Sequence, residues 1–234
     1  MSAAAADRTA RIVFVASVLV TVALYALPEL RPIAYPLTLL STLVHEMGHG
    51  LAAWLVGGDF VSFEMYSDGS GVSYTAGVTS HMARAAVAAG GLVGPALAAA
   101  AAFMAGKRPG SARFFLGLLC FGLSAALLLV VRNVFGGFFV GGLAFVLGWV
   151  VFKAGPHAAQ MVLLFLGTQL GLSVYSRSDY LFTPVAQTSA GRIPSDVSEM
   201  ASVLVLPYWF WGIVCGAVSA GALFIGARAL WKSS

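Results

Sequence analysis

Long apolar runs dominate this chain and leave few folds open to it. Seven can be marked, at roughly 12–27, 33–56, 85–105, 114–131, 134–152, 157–174 and 204–227. Most approach the ~20 residues that a bilayer-spanning helix needs. A soluble protein would have to bury all of them at once. Yet charged residues make up only 9% of the chain and hydrophobic ones 59%, where a soluble domain carries about 25% charge. With a mean hydropathy of +0.90, the natural solvent of the chain is a bilayer. Hydrocarbon offers backbone N–H and C=O groups no partners, so the runs must be helical. The expected fold is an all-α polytopic membrane protein. Six or seven transmembrane helices are expected, because the first and sixth runs are short. Only Arg132 and Asn133 separate the fourth run from the fifth, which implies a tight hairpin or one broken helix.

The remaining composition narrows the class further. The formal charge of +4 is spread along the chain without a like-charge run, so the basic residues read as flanks of membrane helices and nucleic acid is not an expected partner. Cys120 and Cys215 each sit in an apolar run and read as small buried hydrophobes. The N-terminal run is long for a signal peptide and no A-x-A site follows it, so it reads as a retained anchor helix. The partner expected from composition is the lipid bilayer, and the localisation is that of an integral, multi-pass protein of the cell membrane. Without an internal repeat, residues 1–234 read as a single membrane domain.

Two connections interrupt the apolar pattern. Residues 59–80 alternate apolar and polar positions around Asp68-Gly69, so FVSFEMY and GVSYTAGV read as the arms of a β-hairpin. Residues 175–202 form the longest polar stretch and hold Asp179 and Asp196, two of five aspartates.

One motif does not belong in hydrocarbon. His45, Glu46 and His49 spell HEMGH inside the second run. Ionisable groups within a membrane segment cost about 2.5–3.5 kcal/mol each on insertion scales, so they are paired or functional by default. On a helix, residues four apart share a face, so His45 and His49 can direct a ring nitrogen at one ion. Glu46 is one step round, suited to a water beside that ion rather than to the ion itself. Zinc lowers the pKa of bound water towards about 7, and an adjacent carboxylate can take its proton and return it to a leaving amine. With four His and four Glu in 234 residues, chance supplies on the order of 0.001 such motifs. Catalytic zinc takes three protein ligands, and the motif provides two. The remaining candidates are Asp59, Glu64, Asp68, His81, His157, Asp179, Asp196 and Glu199, among which the residues alone do not choose.

At these residues the chain resembles a family. HEMGHGLAAWLVGG is similar to the metal helix of the site-2-protease-like intramembrane zinc metalloproteases. The hairpin with its SDGSG turn resembles the short sheet that follows that helix, and AAGGLVGPALAAAA resembles the next core helix. YSRSDYLF, PSDVSEMA and YWFWGIVCGAVS are similar to the peptidase M50B-like branch. The resemblance implies one Zn2+ ion, with Glu46 as catalytic base and an Asp as third metal ligand beside His45 and His49. Asp179 is the best positional match and Asp196 the alternative, although the N-P-x-x-D-G of better-studied members is missing from both. It further implies hydrolysis of a peptide bond within or near a transmembrane segment of a membrane-protein substrate. A strand edge at 60–66 or 71–76 is suited to clamping the unwound segment. The rival expectations are an inactive metal-binding scaffold of the same fold and an ion-coupled transporter. A transporter needs a file of intramembrane ionisable residues, and the third to fifth runs offer almost none.

Overall fold

The computed structural model describes residues 3–176, 181–189 and 191–232. Helix α1 (Ala3–Ala26) leads through a 3-10 turn into α2 (Arg31–Leu55), and a hairpin of β1 (Asp59–Met65) and β2 (Gly71–Ala76) follows. Helices α3 (His81–Ala105), α4 (Pro109–Leu129), α5 (Val134–Trp149) and α6 (Gly155–Ser176) come next, with a π-helical turn at Val150–Ala154 between the last two. A second hairpin, β3 (Val185–Thr188) and β4 (Gly191–Pro194), precedes the short α7 (Asp196–Val203) and the long α8 (Tyr208–Trp231). The polar stretch at 175–202 thus carries a hairpin and a helix that its composition did not resolve.

Local chemistry sets the boundaries. The Ser80 hydroxyl accepts the Ala83 amide at 3.1 Å and caps α3. Asn133 does more at the α4–α5 junction. Its Oδ1 accepts the Gly136 amide at 3.2 Å, which starts a new helix and makes the junction a hairpin. The same side chain also clasps β1, accepting the Met65 amide and donating to the Met65 carbonyl. Backbone bonds from Phe63 N–H to Val130 O and from Arg132 N–H to Phe63 O extend this pairing to Phe63. The outer edge of β1 is therefore occupied from Phe63 to Met65, and among the described residues the outer edge of β2 is open.

Helix α3 packs against α2, α6, α7 and α8. Small residues permit the close approaches. A Cβ on Gly48 would collide with the Gly90 carbonyl, and one on Gly90 with Gly48 and Ala52, so α2 and α3 meet backbone to backbone. On α8, a Cβ at Gly226 would press on Ala100. One apolar cluster joins Leu39 and Leu43 of α2 to Phe63, Met65, Val131 and Val140, holding the first hairpin against the bundle.

Among the described residues, five helical stretches are long and apolar enough to cross a membrane. One of them, Val134–Tyr175, has 42 residues, about twice one crossing. It is broken at Gly155, whose φ of +84° ends the helix. Helix α2 is as long as the others but less apolar, because it carries the HEMGH residues. Arg11 donates to the Trp231 carbonyl at 2.8 Å, and Phe14 packs edge-on against Trp231 and Phe103. The start of α1 and the end of α8 therefore share one end of the bundle. Phe121, Phe138, Phe145 and Phe152 are each at least 74% exposed, an outward surface suited to lipid and costly in water.

The α2–α3 contact leads to a direct test. Gly48→Val is expected to cost about 1–3 kcal/mol or more through overpacking. Gly110→Ala, where a Cβ meets open space, is expected to leave stability unchanged. Thermal melting of both variants in detergent checks this.

Candidate metal centre

Spacing of four on α2 brings the His45 and His49 rings edge to face, with centroids 4.8 Å apart and Nε2 atoms 3.2 Å apart. A third group arrives from α7. Ser195 caps that helix by accepting the Ser198 amide at 3.3 Å, and Asp196 at the first helical position turns its carboxylate to the histidines. Asp196 Oδ2 lies 3.2 Å from His45 Nε2, and Oδ1 lies 3.3 Å from His49 Nε2. One ligand atom from each of the three residues can be chosen so that all lie within 4.8 Å of one another.

The protonation pattern follows from the neighbours. His49 Nδ1 sits 2.8 Å from the Val87 carbonyl, which can only accept, so that nitrogen carries the proton. In neutral His49 the Nε2 lone pair then faces the Asp196 carboxylate and His45. Burial works against the charge of Asp196, but the two imidazoles overcome it and hold the carboxyl well below the usual range. Asp196 Oδ2 is buried beside His45 Nε2. Two imidazole nitrogens and a carboxylate converging in this way call for positive charge among them, which a proton on a ring or a metal ion supplies. A metal ion fits this donor set, and N2O ligation with an open position is a pattern that zinc adopts.

Gly91 and Gly71 make room. A Cβ at Gly91 would overlap the His49 ring, and one at Gly71 would sit 2.9 Å from Glu46 Cγ. Glu46 is buried and lines two connected spaces. The inner one, about 120 Å³, is bordered by Ser41, Thr42, His45, Gly71 and Ser173. The outer one, about 380 Å³, runs along the open edge of β2 to Pro194, Asp196 and Glu199. The second hairpin roofs this region, and its tip is tied to the first. Ser189 Oγ donates to Asp68 Oδ2 at 2.6 Å, and the Ser189 amide donates to Ser70 Oγ at 3.2 Å.

Among the described residues, the other candidates fall outside the cluster. Asp68 serves the turn, also accepting the Ser70 amide at 2.9 Å. Glu64 accepts the Tyr66 hydroxyl at 2.6 Å. Asp59 opens β1, and His81 and His157 lie in the first turns of α3 and α6. Glu199 pairs with Arg84. Asp179 lies at 177–180, outside the described residues. The carboxylate that meets both imidazoles is that of Asp196, the alternative in the sequence reading. Ser41 and Thr42 border the inner cavity, whereas Ser67 offers its carbonyl to the Tyr35 hydroxyl. Sequence reasoning missed Ser173, Arg84 and the Val87 carbonyl. The Gly90-Gly91 pair was the visible sign of a close approach on α3, but a carbonyl leaves no trace in sequence.

A family model described as Peptidase M50B-like matches residues 13–226. The chain belongs to this family. Membership brings a peptidase class and a membrane setting together with a cluster able to hold a metal. No curated protein and no solved structure matches the chain.

The tie between the hairpins is sensitive to acid. Hydrogen bonds from Ser189 and Ser70 hold the Asp68 carboxyl below its ordinary value. Its stabilising effect is therefore complete above about pH 4 and is lost as pH falls through the depressed value. The protection of the Ser189 amide, taken relative to the intrinsic exchange rate at each pH, is expected to fall on acidification in the parent and to be low at every pH in Asp68→Ala.

Proposed function

We propose that this protein is an intramembrane zinc metalloprotease, located in the cell membrane, that cuts a peptide bond within or near a transmembrane segment of its substrate. The convergence of His45, His49 and Asp196 beside Glu46, at a cavity inside an apolar bundle, carries the reading. His45, His49 and Asp196 would hold one Zn2+ ion, with Asp196 taking the role that the family resemblance gave first to Asp179. Zinc supplies acidified water and polarises a carbonyl.

The chain's own residues account for the rest. The open edge of β2 offers backbone donors and acceptors to an extended peptide, whereas β1 is already bonded to Val130 and Arg132. A substrate helix must unwind before its carbonyls can be attacked, and strand addition at β2 compensates the backbone bonds so released. Ser41, Thr42 and Ser173 give water a polar lodging next to Glu46. Glu46 takes a proton from that water on its carboxylate and passes it to the departing amine nitrogen. The Val87 carbonyl orients the His49 ring through Nδ1, so that Nε2 of the neutral ring would face the metal.

Two measurements test this. Metal analysis of purified protein is expected to find one zinc in the parent and in Asp179→Ala, and none in His45→Ala or Asp196→Ala. Zinc retained in Asp196→Ala would overturn the ligand assignment. Glu46→Gln is expected to keep its zinc and lose cleavage of a membrane-protein substrate by about 10²–10⁴-fold. Unchanged cellular function in that variant would favour the scaffold instead.

A further inference from the structure

The ion pair between Arg84 and Glu199 lies at the mouth of the outer cavity, and metal binding by itself does not require it. Arg84 Nε and Nη2 both donate to Glu199 Oε1, at 3.0 and 2.5 Å. Glu199 is three residues after Asp196 on α7, so the two carboxylates share a helix face. Arg84 is in the first turn of α3, one turn before Val87, whose carbonyl orients His49, and two before Gly91, against which the His49 ring packs. One face of α3 thus contacts His49 of α2 and Glu199 of α7.

Helix α7 needs such a guide. It has eight residues, too few to be stable alone. Its buried side chains Val197, Met200 and Val203 pack on Ala85, Ala88 and Leu92 of α3. Apolar packing is non-directional, so it sets the distance between the helices and only loosely their rotation and slide. A small rotation of α7 would swing Asp196 away from the histidines. The guanidinium fork is directional and supplies what the apolar contact lacks.

We propose that Arg84 is a positioning residue for the metal centre, acting through Glu199 to fix α7 so that Asp196 meets His45 and His49. The inference rests on the zinc site proposed above. Arg84 and Glu199 are 43% and 34% exposed as side chains, and ion pairs that exposed add little to global stability. Stability and metal affinity should therefore separate on removing the pair, which would not happen if the pair were only a fold support.

The experiment measures zinc affinity of the full-length protein in detergent by chelator competition, with melting temperature alongside. Arg84→Met and Glu199→Gln are each expected to weaken zinc binding by about 10–100-fold, the usual effect of losing an outer-shell partner. The melting temperature of the zinc-free protein should stay near that of the parent. Arg84→Lys is expected to recover part of the loss, and the double variant should bind zinc no worse than the weaker single one. Parent-like affinity in Arg84→Met would overturn the proposal, as would additive losses. Tighter binding in Arg84→Met would overturn it too, because the pair would then be withholding Glu199 from the ion. A parent that binds no zinc, or a His45→Ala variant that keeps it, would instead defeat the underlying site.

Discussion

The backbone contact of α2 with α3 governs the rest of this structure. Gly48 and Gly90 let the helices meet without intervening side chains, and Gly91 leaves the space that the His49 ring fills. From that contact the Val87 carbonyl reaches His49, and α7 docks on the neighbouring surface of α3. A larger residue at any of these glycines would push the helices apart and separate the imidazoles from Asp196. In a bilayer, where burial of apolar surface gives helices little reason to associate, such close van der Waals packing is a main source of cohesion.

The polar site is tolerable because the bundle compensates it. His45, Glu46 and His49 would be costly in hydrocarbon. They face a cavity edged by Ser41, Thr42 and Ser173, and Asp196 supplies a charge opposite the rings. The strand edges show the same economy. The α4–α5 turn occupies β1 with two backbone bonds and the Asn133 amide, so the remaining open edge lies along the cavity. An open edge elsewhere would invite unwanted pairing, whereas here it borders the space beside Glu46.

Residue patterns carried much of this. Run lengths and composition required membrane helices, and alternation around Asp68-Gly69 located the first hairpin. HEMGH named two imidazoles and a carboxylate, because a spacing of four is a property of the helix itself and survives any tertiary arrangement. The polar stretch at 175–202 was less readable. The strands of its hairpin have four residues each, too short for a periodicity to show.

By itself, then, the sequence determined the solvent of this protein, its helical class, the first hairpin and the helix that carries His45, Glu46 and His49. These follow from local periodicity and from the cost of polar groups in hydrocarbon. Only the tertiary structure brought Asp196 to that helix from 147 residues beyond His49, closed β1 while leaving β2 open, and set Arg84 against Glu199. Those choices depend on distances between elements remote in sequence, which no spacing along the chain encodes.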